Sequence, residues 1–252
     1  MADNERDDLI PGIHSVMAAL EAGRPLHRII LQKGFRGQGQ TRIRARGREL
    51  GIPVQEVDKK ALEAMAGKGH QGVVAVAACL AYATVEDILA NARNREVDPL
   101  LLVLDEVQDP RNLGALARTA DAAGAHGIIL GKRRSAGLTG AAAKAATGSL
   151  ERLPVARVTN ISRVLAELRE RGIWVVGLDP GGEKRLWDAD LKGPLALVVG
   201  GEEKGLGRLV KENCDFSLSL PMWGDISSLN VTVAGAVALY EVFRQRHAAK
   251  GR

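Results

Sequence analysis

The chain has 252 residues, 46% hydrophobic and 26% charged, enough for one large domain or for a small domain joined to a medium one. Aromatic residues make up 3%, too few for a base-stacking platform or an aromatic cage, so any recognition must be polar. The two cysteines, Cys79 and Cys214, form no CxxC pair and the five histidines lack ligand spacing, which argues against a disulfide framework and a metal site and for a reducing, cytoplasmic setting.

The opening MADNERDD is acidic and polar, unlike a secretory signal. A helix is expected over Ile13 to Ala22, stopped by Gly23, and HRIILQ reads as a strand. The net charge of +5 is concentrated next: from Arg24 to Arg48 there are eight basic residues (Arg24, Arg28, Lys33, Arg36, Arg42, Arg44, Arg46 and Arg48) and no Asp or Glu. Such a run suits contacts to phosphates, and equally suits a merely solvated face. IPVQEV is the next strand, and Asp58 is placed to cap a helix through Met65. GKGHQG makes a turn before VVAVAACL, an apolar run suited to a buried strand. The longest such run, Val73 to Ala83, is far short of the roughly 20 residues a membrane span needs, so no membrane partner is expected.

Residues 1–80 therefore read as a small α/β domain and 81–98 as a linker, although Thr84 and Asp87 offer a capping-box variant within it. From residue 99 to 252 strands alternate with helices: LLLVLDEV, NLGALARTADAA, GIILG, LTGAAAKAATG, NISRVLAELRER, IWVVGL, LALVVGG, LGRLVKEN, FSLSLPM and a last helix from Asn230 towards Arg246. This alternation predicts an α/β fold with a mostly parallel sheet, whose ligands bind beyond the carboxyl ends of the strands.

Three strand ends carry the chemistry. In LDEVQDPRNLGALARTA, Asn112 is placed to cap a helix, and Arg118 offers a rigid fork for phosphate or carboxylate or else is a surface charge. LALVVGGEEKGLG ends in glycines at the wrong spacing for a P-loop or a dinucleotide fingerprint, and its acidic residues suit a ligand with hydroxyls and an amine. In LSLPMWGDISSLN, Ser227 or Ser228 is expected to cap the last helix, leaving Asn230 as an unfavourable first-turn residue.

Together, in order and over Leu100 to Arg246, DPRNLGALARTADAAG, LALVVGGEEKGLG and LSLPMWGDISSLNVTVAGAVALYEVFRQR resemble the motifs of the SpoU/TrmH group of SPOUT RNA 2′-O-ribose methyltransferases. PGIHSVMAALEAG and GHQGVVA resemble the L30e-like substrate-binding domain of the subgroup that methylates a guanosine of 23S rRNA. The resemblance implies a trefoil knot near the C-terminus and S-adenosylmethionine held by Gly200, Gly201, Leu220 and Leu229. Catalytic positions fall on Asn112, Arg118, Glu202, Ser228 and Asn230. It also implies a homodimer with the site at its interface. A tRNA substrate and a non-catalytic, RNA-binding assembly factor are the alternatives.

Overall fold

A computed structural model describes residues 9–34, 37–201, 205–226 and 228–248. The chain forms two compact units: one of the residues up to Ala81 together with Gly137–Ala143, the other of Tyr82–Ala136 and the residues from Lys144 onward.

The first unit contains β1 (Leu9–Pro11), α1 (Ile13–Glu21), β2 (Leu26–Gln32), α2 (Gln38–Glu49), β3 (Val54–Val57), α3 (Lys59–Ala66) and β4 (Val73–Ala77). Its sheet runs β1-β4-β2-β3, with β2 and β3 parallel and β4 antiparallel to both of its neighbours. The apolar run of β4 follows from burial on both faces. Val73, Ala75 and Ala77 pack with Val16, Leu20 and Ile43 of α1 and α2, while Val74 and Val76 pack with Ile30 and Leu62. Gly47 lets α2 close on the sheet, since a Cβ there would stand 2.9 Å from Ile29 Cδ1. Asp58 occupies the N-cap position of α3, but its side chain makes no capping hydrogen bond.

The stretch 81–98, expected as a linker, carries α4 (Val85–Asn94), and that helix is built into the second unit. Thr84 and Asp87 close a capping box at its start. Ile88 and Leu89 then sit in the core beside Leu101, Val103, Ile129, Leu165, Val175 and Val198. Of the polar residues that suggested a join, Arg93 and Asn94 are exposed on the helix, and Arg95, Glu96 and Asp98 follow it.

The second unit continues with β5 (Leu100–Asp105), α5 (Pro110–Ala122) and β6 (Gly127–Gly131); α6 (Gly140–Ala146) is divided between the units after Ala143, and β7 (Val155–Val158), α7 (Ile161–Glu170), β8 (Trp174–Leu178), β9 (Lys184–Arg185), β10 (Leu195–Gly200), α8 (Arg208–Glu212), β11 (Phe216–Ser219) and α9 (Val231–Ala248) complete the second unit. The seven strands run β7-β6-β5-β10-β8-β11-β9, and the pairings described are all parallel. This is the α/β architecture expected, with the two-residue β9 as an addition that carries no apolar signature. On one face of β10, Ala196 and Val198 pack with α4 and α7. On the other, Val199 faces α9, and Gly235 brings that helix against α5: a Cβ there would meet Leu116 Cδ2 at 2.6 Å. Among the described residues no helix is long and apolar enough to cross a membrane.

Candidate cofactor site

A cavity of about 490 Å³ opens beyond the carboxyl ends of three adjacent strands of the second unit. Leu178, Asp179 and Pro180 line it from the end of β8, and Val199, Gly200, Gly201 and Gly205 from β10 and the turn after it. Leu220, Met222, Ser228 and Leu229 line it from the loop after β11, and Val231 and Ala234 from α9. The location is the one parallel sheets reserve for ligands, because strand ends there supply loops with free backbone groups over a rigid base.

The glycines are steric requirements. A Cβ on Gly200 would lie 2.1 Å from the Gly205 carbonyl carbon, and one on Gly201 would lie 2.6 Å from the Glu106 carbonyl oxygen. Gly205 has φ +62° and donates its N–H to the Gly201 oxygen at 2.9 Å, closing the loop. The loop is tied to β5 as well: buried Asp105 accepts from the Gly207 N–H through Oδ2 at 2.8 Å. Burial pushes the Asp105 carboxyl above its usual range, against the opposing effect of the Gly207 hydrogen bond. Asp105 was not singled out from the sequence, although a carboxylate ending an otherwise apolar strand was its visible signal.

Four of the residues expected to hold a cofactor (Gly200, Gly201, Leu220 and Leu229) and one of those expected to act on substrate (Ser228) thus line a single cavity. Asn112 and Arg118 stand elsewhere, on α5. Asn112 does not cap that helix. Asp109 does, accepting from the Arg111 N–H at 2.8 Å with Pro110 at the first helical position, so Asn112 falls at the third. Arg118 is exposed, opposite the buried face made by Leu113, Leu116, Ala117 and Ala120. Glu202, Ser227 and, in the first unit, Arg36 lie outside the described residues.

Asn230 is the cap of α9 and not a residue of its interior. Its Oδ1 accepts from the Thr232 N–H at 2.8 Å and from the Thr232 hydroxyl, while its carbonyl receives the first helical bond, from Ala234, at 3.0 Å. Ser228 is left to line the cavity.

The basic run of the first unit is dispersed by the fold. Arg24 lies in the turn after α1, Arg28 on β2 and Lys33 in the turn after β2. Arg42, Arg44, Arg46 and Arg48 lie on α2 at every second position, 200° apart. Arg42 and Arg46 therefore flank the buried seam of Gln40, Ile43 and Gly47 on one side, and Arg44 and Arg48 on the other. Arg44 pairs with Glu56, and Arg46 with Glu49 at 2.7 Å. On α2 the four arginines therefore lie on two sides of the buried seam, and two of them are paired with carboxylates.

Cys214 offers no nucleophile. Its thiol donates to the Val210 carbonyl at 3.4 Å, and burial pushes its pKa up to about 12. Among the described residues no cluster of His, Cys, Asp or Glu is arranged to hold a metal ion.

A parallel α/β sheet with a glycine-walled cavity beyond its strand ends defines an α/β protein with its ligand site at those ends. The SpoU rRNA Methylase family profile matches residues 99–240, and one described as RNA 2′-O ribose methyltransferase substrate binding matches residues 9–83. The putative TrmH family tRNA/rRNA methyltransferase YacO of Bacillus subtilis is 46% identical over 245 residues, covering 97% of this chain and 98% of its own. The SpoU methyltransferase AviRb from Streptomyces viridochromogenes, in complex with AdoMet, superposes with a TM-score of 0.62 at 28% identity, over 95% of this chain and 90% of that one. An AdoMet-bound rRNA methyltransferase from Sinorhizobium meliloti gives 0.57 at 27%, over 94% and 86%. A TrmH/SpoU tRNA modifying enzyme from A. aeolicus gives 0.56 at 29%, over 66% and 85%. The chain belongs to the SpoU rRNA methylase family, and it is an S-adenosylmethionine-dependent RNA methyltransferase.

The cavity fits that cofactor. Leu178, Val199, Leu220, Met222 and Leu229 offer apolar walls for a flat base. The close-packed Gly200 and Gly201 present backbone, free of side chains, along the wall between them.

Proposed function

We propose that the protein methylates a ribose 2′-hydroxyl of RNA, and that its target is a guanosine of 23S rRNA. The observation that carries this reading is the assembly of residues from the ends of β8, β10 and β11 and the start of α9 around one cavity, in a chain whose residues 9–83 match a substrate-binding domain for ribose methylation. Coverage favours ribosomal over transfer RNA. The S. meliloti rRNA methyltransferase aligns with nearly the whole chain, whereas the A. aeolicus tRNA enzyme aligns with two thirds of it. S-adenosylmethionine, when bound, supplies a methyl group activated by its sulfonium.

The chain's own residues supply placement and charge. Backbone at Gly200, Gly201, Leu220 and Leu229 holds the cofactor, with Glu202 adjoining. Arg118, with its planar fork of donors, acts as a clamp on the neighbouring phosphate and steadies the oxyanion developing on the ribose. Asn112, Ser228 and Asn230 orient the reacting groups, in a reaction that depends on in-line approach. In this reading Arg118 and Asn112 work on the cavity of a second copy of the chain. The outward side of α9 supports a dimer: Val233 and Tyr240, seven positions apart and so on one face, are about half exposed, as are Trp223 and Ile226 or more so on the loop before it. The sheet order supports the knot, since β10 returns between β5 and β8 after the chain has left β8. A cytoplasmic location follows from this substrate.

Mapping ribose methylation across rRNA and tRNA in cells lacking this protein tests the assignment. Loss of one 2′-O-methylguanosine in 23S rRNA is expected, and loss confined to a tRNA nucleoside would move the substrate to tRNA.

A further inference from the structure

One wall of the cavity comes from outside the glycine-rich and serine-bearing loops. Asp179 follows β8, the strand lying between β10, which ends in Gly200, and β11, which leads to Leu220. Its backbone is fixed by an N–H bond to the Leu218 carbonyl at 2.9 Å, and its side chain is 16% exposed. Oδ1 accepts from the Gly181 N–H at 2.8 Å, and Oδ2 stands 3.3 Å from Lys211 Nζ.

We propose that Asp179 is a cofactor-recognition residue, its carboxylate accepting hydrogen bonds from the two ribose hydroxyls of the adenosine half of S-adenosylmethionine. This rests on the placement of the cofactor in the cavity. An ionised carboxylate has about four acceptor sites, and the two contacts seen leave two, the number a vicinal diol requires. Those hydroxyls lose water on entering a largely apolar cavity, and each donor left unpaired there costs affinity. The other described lining side chains are aliphatic or thioether groups and the single hydroxyl of Ser228, so Asp179 is the one anionic acceptor among them. A carboxylate at a strand end is also how parallel-sheet dinucleotide sites hold a ribose. The Gly181 contact then has a purpose: it fixes the carboxylate before the ligand arrives, which lowers the cost of ordering it.

The competing account is that Asp179 only shapes the turn and anchors Lys211. Isothermal titration of the full-length protein with S-adenosylmethionine, S-adenosylhomocysteine and 5′-methylthioadenosine separates the two. The three ligands share the ribose diol, the first two share the amino-acid ammonium, and only the first carries the sulfonium. Asp179→Asn keeps an oxygen for Gly181 and is expected to weaken all three ligands by about tenfold or more. Lys211→Met removes the ion pair and keeps the carboxylate, and is expected to leave all three within about threefold. Unchanged affinities in Asp179→Asn would overturn the proposal. So would a loss confined to S-adenosylmethionine, which points to the sulfonium, or a loss that spares 5′-methylthioadenosine, which points to the ammonium. Equal losses in Asp179→Asn and Lys211→Met, tracking a fall in Tm, would return Asp179 to its turn. Ala234→Phe, which fills the cavity from α9, checks the placement separately: if it leaves wild-type affinity, the cofactor lies elsewhere whatever Asp179 does.

Discussion

The basic stretch of the first unit and the cavity of the second are treated in opposite ways by the fold. The basic residues from Arg24 to Arg48 are neighbours in sequence, and those described fall in two turns, on a strand and on two faces of α2. Asp179, Gly200, Leu220 and Leu229 are far apart in sequence, and the ends of β8, β10 and β11 bring them to the lining of one cavity. A run of charge has no geometry until its secondary structure is known, because a spacing of two alternates across a helix. Strand ends of a parallel sheet converge whatever their sequence separation.

The largest effect in this contrast belongs to the gathered region. Gly200→Ala places a methyl 2.1 Å from a backbone carbon that has no side chain to move aside. Binding of S-adenosylmethionine is expected to fall below detection by calorimetry, with a stability loss of about 1–3 kcal/mol or more on thermal melting. Wild-type affinity and Tm would mean that the loop is looser than its contacts imply.

Next comes Asn230, where capping and chemistry can be separated. Asn230→Ala removes the acceptor for the Thr232 N–H and is expected to cost about 1 kcal/mol. Asn230→Asp restores that acceptor. If the amide orients the reaction, both variants slow methyl transfer about a hundredfold or more while only Ala lowers Tm. Activity in Asn230→Asp near wild type would leave Asn230 as a cap and nothing further.

This position also shows how far the sequence could be read. The α/β class, the parallel sheet and most elements follow from periodicity and turn residues, and the Thr84 capping box was legible because both of its partners are local. The exact helix starts were not. Asn112 and Asn230 were each read against the wrong boundary: Asp109-Pro110 opens α5 three residues earlier, and α9 begins only at Val231. In α4 the polar composition concealed the apolar seam of Ile88, Leu89 and Ala92. The cavity was legible only as three strand ends with unusual loops. Asp105 and Asp179 escaped notice because a single carboxylate has no spacing to detect, and its meaning comes from the strand beside it.

The scattered region predicts smaller effects. Only one side of α2 can lie along a given phosphate backbone, so Arg42→Ala with Arg46→Ala and Arg44→Ala with Arg48→Ala are expected to differ. One double variant should weaken RNA binding about tenfold and lower the magnitude of the salt slope by about 0.7–0.9 per contact, and the other should do neither. Equal losses would restore the single patch, and no loss in either would leave α2 a solvated face.

The smallest effect expected is a pH dependence that ties the gathered loops to β5. Because burial raises the Asp105 pKa, the folded state keeps its proton over a window in which the unfolded chain has lost it. Stability therefore falls as pH rises from the ordinary carboxylate range through the raised value. Asp105→Asn keeps an oxygen for the Gly207 N–H and should flatten that part of the stability–pH curve. Superimposable curves from urea melts would remove the buried carboxyl from the account.

The most direct test of the account as a whole is a reaction of the purified protein with methyl-labelled S-adenosylmethionine and unmodified 23S rRNA, digested to nucleosides and separated by mass. The label should appear in 2′-O-methylguanosine and nowhere else, and should vanish in Gly200→Ala. Label on a nucleobase, or none with any RNA offered, would contradict a ribose methyltransferase built around this cavity.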